Sequence, residues 1–334
     1  QPQPQPQPQL ALKIDVDTLR GTREGVPRLL ATLARAQASA TFLFSLGPDR
    51  TGRAIRRVLR PGFFGKVART SVLEHYGLKT LLYGTVLPAP DIARRAAASM
   101  RAARDAGHEV GVHCFDHTGW QDLLARRDAA WARQQMQSAV ARFNDVFGVA
   151  PEVHGAAGWQ MSEAALLAEE ALGFRYASDT RGTTPFVPWI AGRPGRCPQL
   201  PTTLPTLDEL IGIDGLTAER VHEPLLRASD PSRPQPSHRT RAGPVPACPL
   251  HVFTLHAELE GMKLLPALER LLAGWRAQGY ALVSLREALG ALDTERLPLA
   301  PVVSGSVPGR SGTLAVQGAV LSAEAPPTPS RAPR

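Results

Sequence analysis

Strand-like and helix-like segments take turns along most of this chain, and that alternation restricts the fold more than any other feature. Leu10–Val16 is a short apolar run that reads as a buried strand. Pro27 suits an early helical position, and Leu29, Leu30 and Leu33 carry one apolar helix face to about Gln37. Ala40–Leu46 is strand-like and is punctuated by Gly47-Pro48. A helix from about Asp91 is expected to stop at Gly107, ahead of a strand at His108–Cys114. The pattern predicts a helix at 128–147, a strand at 152–155, a helix at 162–172 and a strand at 176–179. Strand 250–255, helix 262–278 and strand 280–285 complete it. Repeated strand, helix, strand implies a parallel sheet covered by helices.

Three stretches fall outside the alternation. Residues 1–9 alternate Gln and Pro, 229–247 are rich in Pro, Ser and Arg, and 293–334 carry few large apolar residues. Such compositions bury too little apolar area to offset the entropy of ordering. The expected organisation is therefore a disordered tail at 1–9, one domain over 10–292 with a flexible insertion at 229–247, and a disordered tail at 293–334. No run of about 18 apolar residues is present, so no membrane-spanning helix is expected. The Gln-Pro repeat has no apolar core and does not read as a signal peptide. Cys114, Cys197 and Cys248 are odd in number and far apart, which argues against a disulfide framework or a thiolate zinc site and fits a reducing compartment. The net charge of +8 favours anionic partners, although solubility alone also accounts for a spread-out charge.

In parallel α/β folds, functional groups gather at the C-terminal ends of strands. The first strand ends Lys13-Ile14-Asp15-Val16-Asp17, with two carboxylates on one face. Their mutual repulsion is relieved by a divalent cation, although a turn or helix cap uses the same residues. The third strand runs into His113-Cys-Phe-Asp-His117, where two imidazoles can converge across a tight turn; two surface histidines are the ordinary alternative. His256 emerges from the apolar strand Phe253-Thr-Leu-His, as a core histidine also would. Asp179 ends a further strand, where a carboxylate can orient a neighbouring imidazole. One carboxylate and two imidazoles make a three-ligand metal site with an open position, which is the catalytic arrangement. The other carboxylate and the late histidine are then left for proton transfer.

The order Asp-x-Asp, His-x-x-x-His and Leu-His on a late strand resembles the NodB-like polysaccharide deacetylases. Within them it is similar to the branch of 4-deoxy-4-formamido-L-arabinose-phosphoundecaprenol deformylases. The resembling segments include 14–30, Ser45-Leu-Gly-Pro-Asp49, Gly107-His-Glu-Val-Gly-Val-His113, Ala156-Ala-Gly-Trp159, Ser178-Asp-Thr-Arg-Gly182, Pro201-Thr-Thr-Leu-Pro-Thr206 and Thr254-Leu-His-Ala-Glu258. They run from about Leu10 to Leu289. The resemblance implies an α/β fold, a distorted (β/α) barrel of about seven strand-helix units. It implies Asp15 as catalytic base, His256 as catalytic acid, Asp179 as the carboxylate orienting that acid, and Asp17, His113 and His117 as ligands of one divalent metal ion. Zinc is the default metal, with cobalt or manganese compatible with the same ligands. The family's third motif often supplies an Arg that is oriented toward the base, and Glu152-Val-His-Gly-Ala-Ala-Gly-Trp159 has none. Arg181 is a candidate for that place or for the substrate phosphate.

The implied reaction is hydrolysis of the formamide on an undecaprenyl-linked amino-arabinose, releasing formate and the amine used in lipid A modification. An N-deacetylase of another amino sugar, or a non-catalytic membrane-surface carbohydrate binder, is the alternative. Arg20, Arg23, Arg181 and Trp159 are candidate substrate contacts. Arg53, Arg56, Arg57 and Arg60, interleaved with apolar residues and followed by Phe63-Phe64, are candidate contacts to an anionic membrane surface. A packed amphipathic helix is the rival reading of that segment. These expectations place the protein peripherally on the cytoplasmic face of the inner membrane. They include no nucleic-acid partner and no obligate protein partner.

Overall fold

Seven consecutive residues, Leu10 to Val16, are buried in strand β1 (Gln9–Val16), without the alternation of a half-exposed strand. That pattern belongs to a parallel sheet covered on both faces. In the computed structural model, which describes residues 7–53, 80–232 and 250–321, β1 is indeed central. It is followed by α1 (Val26–Arg35), β2 (Thr41–Ser45), α2 (Ile92–Asp105), β3 (Glu109–Cys114), α3 (His117–Leu123) and α4 (Ala129–Phe147). Next come β4 (Val153–His154), α5 (Glu163–Leu172), β5 (Tyr176–Ala177), β6 (Val187–Ile190), β7 (Arg193–Pro194), α6 (Leu207–Leu210) and α7 (His222–Ala228). The remainder is β8 (His251–His256), α8 (Leu265–Ala277), β9 (Ala281–Val283), α9 (Leu285–Gly290), β10 (Leu299–Gly305) and β11 (Leu314–Gln317).

Local chemistry sets the ends of these elements. Asp91, Asp128 and Ser162 cap α2, α4 and α5, each side chain accepting a bond from a backbone N–H of the first turn. Gly148 and Gly173 close α4 and α5 in the left-handed conformation.

The main sheet has the order β5-β4-β3-β2-β1-β8, and β9 pairs with the start of β1. Every pairing in it is parallel. Residues 199–204 bridge its two ends, since Leu200 N–H bonds Ala177 O of β5 and Thr203 N–H bonds Val252 O of β8. The result is the expected α/β distorted barrel, with irregular chain standing where a further strand would close it. Register places Asp15 between Leu43 of β2 and His256 of β8.

The C-terminal region differs from the expected disordered tail. β10 and β11 form an antiparallel pair, β10 adds in parallel to β6, and β6 pairs with β7 in a second, four-stranded sheet. Ala300, Leu314 and Ala315 are buried there. Composition hid these strands because their partner, β6, lies more than a hundred residues earlier, and small buried residues suffice on a face that packs closely. At the other boundaries, Gln9 already belongs to β1, and Ser229, expected to open the insertion, is buried and accepts bonds from Trp275 Nε1 at 2.9 Å and, on its carbonyl, from Tyr280 at 2.6 Å. Residues 233–249 lie outside the described residues. So do Arg56, Arg57, Arg60, Phe63 and Phe64; Arg53 donates to Gly84 O at 2.8 Å. Cys114 and Cys197 are free thiols, both buried. Among the described residues, no helix is long and apolar enough to cross a membrane.

Candidate metal centre and active site

The loop after β1 carries Asp17, and a buried carboxylate pins that loop. Glu258 Oε1 accepts bonds from Asp17 N at 3.0 Å, Thr18 N at 2.8 Å and Thr18 Oγ1 at 2.8 Å. Gly21 permits this approach, because a Cβ there would stand 1.9 Å from Glu258 Oε1. Leu19 N is held in turn by Asp49 at 2.9 Å. Burial and the charge of Asp17 push the Glu258 carboxyl up to about 8.

On β3, His113 is buried, and its Nδ1 donates to Gly155 O at 2.6 Å. The chain then turns sharply into α3, whose N-cap Asp116 accepts from Gly119 N at 3.0 Å and pairs with Arg50. That turn brings His117 back over His113, with ring centroids 5.3 Å apart. Asp17 Oδ1 lies 3.2 Å from His113 Nε2 and 3.4 Å from His117 Nε2. With Nδ1–H donated to Gly155 O, Nε2 of His113 faces a carboxylate oxygen, an arrangement that calls for a cation or proton between them. Asp17 Oδ1 is buried and has no hydrogen-bond partner among the described residues. The three ligand atoms all fall within 4.8 Å of one another. The donor set therefore fits a divalent ion with two imidazoles and one carboxylate. Burial opposes ionisation of Asp17, but His117 and His113 outweigh it and hold its carboxyl below the usual range. Burial lowers the pKa of His117 against the pull of Asp17, in the direction of the neutral ring that a ligand needs.

Asp15 and His256 flank this cluster as register partners on adjacent parallel strands. Asp15 Oδ1 is buried without a hydrogen-bond partner among the described residues, and its Oδ2 lies 3.3 Å from Lys13 Nζ. Burial works against a charged His256, but Asp17, Asp208, Glu260 and Asp15 together raise its pKa above the ordinary value. Glu260 also accepts the His256 backbone N–H at 2.7 Å. Trp159 presents an edge to His256, with centroids 6.4 Å apart, and donates Nε1–H to Thr202 Oγ1 at 3.3 Å.

Two expected residues are engaged elsewhere. Asp179 does not orient His256. It accepts from Ala156 N at 2.8 Å and Gln199 Nε2 at 2.6 Å, and lies 2.9 Å from His154 Nδ1. The reason is strand order: β5 adjoins β4, which carries His154, while β8 is at the other end of the sheet. Among the carboxylates whose charge reaches His256 is Asp208, an exposed residue of α6 that lies 3.5 Å from Arg310 Nη2. Arg181 is the second case. It is buried, with Nη1 on Glu209 at 2.5 Å and Nη2 on Leu204 O at 3.1 Å, so it does not reach Asp15 and its charge is already matched. Arg20 pairs with Glu24 at 3.3 Å and Arg23 donates to Arg95 O at 2.8 Å, both on the segment that follows β1.

Sequence reasoning missed Lys13, Asp208 and Glu260. Glu258 and Lys13 stand inside the quoted motifs, but nothing in a linear pattern says which neighbours a carboxylate or ammonium meets. It also missed the buried triad of His154, Glu169 and Asp179, in which His154 Nδ1 donates to Glu169 at 2.6 Å. Burial opposes a charged His154, yet Asp179 and Glu169 raise it to about 10, while burial raises Glu169. The stability this imidazolium contributes is fully present below its unfolded value near 6.5 and is lost as pH rises through about 10. We expect the melting temperature to fall from pH 7 to 10. In His154→Gln that fall should flatten and stability at pH 7 should drop by about 3–5 kcal/mol, as for other broken buried ion clusters. Calorimetry across that range checks both, and an unchanged pH slope in the variant would contradict the assignment.

Comparison with known proteins agrees with this geometry. The model of the family described as polysaccharide deacetylase matches residues 3–177. A protein of Shewanella sediminis (strain HAW-EB3) is 34% identical over 92% of this chain and 94% of its own length. The chain belongs to the polysaccharide deacetylase family. Membership makes it a hydrolase acting on the carbon–nitrogen bond of an acylamino group. The Shewanella protein is described as a probable 4-deoxy-4-formamido-L-arabinose-phosphoundecaprenol deformylase, ArnD. So is a protein of Wigglesworthia glossinidia brevipalpis, 27% identical over 90% of this chain and 99% of its own. Among solved structures, a Mycobacterium smegmatis protein described as a polysaccharide deacetylase shares the fold, with a TM-score of 0.59 at 18% identity, covering 91% of this chain and 97% of that one.

Proposed function

We propose that this deacetylase-family hydrolase removes the formyl group from 4-deoxy-4-formamido-L-arabinose carried on undecaprenyl phosphate, giving formate and the free amine for lipid A modification. The observation that carries the chemistry is the pairing of Asp15 and His256 on adjacent strands at the end of the sheet that also carries the Asp17, His113 and His117 donor set. The choice of formyl and of the lipid-linked sugar rests on the two ArnD relatives.

Asp17, His113 and His117 would hold a divalent ion, zinc by donor preference with cobalt or manganese compatible, and such an ion would supply Lewis acidity. Asp15 takes a proton from the attacking water. His256 gives a proton to the nitrogen as the C–N bond breaks, because an amide anion is too basic to leave unaided. Asp208 and Glu260 favour the charged imidazole that this step needs. Trp159 and the small residues Ala156 and Ala157, all buried, form a rigid wall beside the acid. The membrane-linked substrate brings the protein to an anionic lipid surface on the cytoplasmic side, with the arginines of residues 53–60 as its contacts.

Purified protein incubated with the formamido-arabinose lipid is expected to release formate. An N-acetyl analogue, larger by one methyl group, should react with kcat/KM lower by about 10–200-fold, the range a single methyl commands. Equal kcat/KM for both would overturn the steric filter, and acetate release alone would point to a deacetylase.

A further inference from the structure

We propose that Lys13 is the positioning residue for the catalytic base: its ammonium holds and balances the Asp15 carboxylate from within the same strand. The inference rests on the proposed role of Asp15. A lysine is almost never fully buried unless it is paired, and Lys13 has an exposure of 0%. Residues two apart in a strand share a face, so β1 itself delivers Lys13 and Asp15 to the same side of the barrel wall. There Nζ lies 3.3 Å from Asp15 Oδ2, and the Lys13 ammonium stands 5.1 Å from the centre of the Trp159 ring. Nζ makes no hydrogen bond among the described residues, so its contact with Asp15 is that of an ion pair. Asp15 is thus the only carboxylate paired with it there.

The surroundings are shaped for this side chain. Gly155 faces it, and a Cβ at that position would stand 3.1 Å from Lys13 Cε and 2.3 Å from Leu43 Cδ1. Gly155 is also the carbonyl partner of His113, so one backbone position fixes a metal ligand and leaves the room for Lys13. The two arginines over the Trp159 ring, Arg181 and Arg310, are both matched by Glu209. Asp15 and Asp17 bring two negative charges to the end of β1, and three ligand groups share one cation. A fixed positive charge beside Oδ2 steadies Asp15 where it must receive a proton and leaves Oδ1, 3.8 Å from His113 Nδ1, without a hydrogen-bond partner among the described residues. No bond to substrate is required of Lys13.

The test is a comparison of Lys13→Met and Lys13→Arg with the parent, all loaded with zinc, in the wild-type and Asp15→Asn backgrounds. Lys13→Met is expected to keep metal content and KM while kcat falls about 10–100-fold, and its crystal structure should show the Asp15 carboxylate turned away with the ligands in place. Lys13→Arg, which restores the charge, should recover part of the loss. In the Asp15→Asn background the Met substitution should cost little more, because the group it acts through is gone. A merely structural lysine would instead cost the same in both backgrounds, or lower metal content, and either result overturns the proposal. So does wild-type kcat in Lys13→Met. If the parent releases no formate, the substrate reading fails by itself, and the same comparison is made on an N-acetyl amino sugar.

Discussion

His113→Ala is expected to remove the divalent ion and the activity together. His113 is buried at the end of β3 with its tautomer set by Gly155 O, so it presents a lone pair rather than a proton to the site. Altering a group that merely orients a ligand typically lowers metal affinity by ~10–100-fold, and losing the ligand itself should exceed that. Only Asp17 and His117 would remain, and the half-buried His117 turns on a short helical segment. Elemental analysis after dialysis against a weak chelator should find the parent loaded and the variant largely empty, with formate release below detection. Asp17→Ala should behave alike. Full occupancy in His113→Ala would place the ion elsewhere, and the buried His154, Glu169 and Asp179 group would become the next place to look.

Asp15→Asn and His256→Ala should separate chemistry from binding. Each is expected to lower kcat by about 10²–10⁴-fold, the usual worth of a positioned base or acid, while metal content and fold persist. Residual slow turnover is compatible with this, since the remaining groups still act. The pH profile adds a sign. His256 must be protonated to serve as acid, and neighbouring carboxylates raise its pKa against the effect of burial. Activity should therefore persist above pH 6.5 and fall as pH rises through the raised value. Asp208→Asn removes one negative charge facing the imidazole, so the alkaline fall should move to lower pH. A profile that moves upward, or does not move, would mean that another group gives the proton. Near-parent kcat in His256→Ala would lead to the same conclusion.

Much of this protein was legible in its sequence because local rules wrote it there. The alternating strands and helices, their capping residues Asp91, Asp128 and Ser162, and the glycines that stop α4 and α5 act over a few residues. Asp-x-Asp on one strand face and His-x-x-x-His across one capped turn are local as well; the family resemblance, not the spacing, implied Asp17 over Asp15, and the structure brings Asp17, His113 and His117 together. The partners of the acid and of the base were not legible in this way. Asp179 was expected beside His256, and only strand order decides that it meets His154 on the neighbouring strand instead. Lys13 sits two residues from Asp15 in the sequence, but its burial against Trp159 depends on the turn after β4, in the fourth strand-helix unit. The C-terminal strands looked featureless because a strand's hydrogen bonds are made with another segment, and β10 finds its partner in β6. Periodicity and capping are properties of neighbouring residues, so the sequence alone determined the elements and the donor set. Pairing and burial are properties of distant ones, so only the tertiary structure decided which charge steadies which.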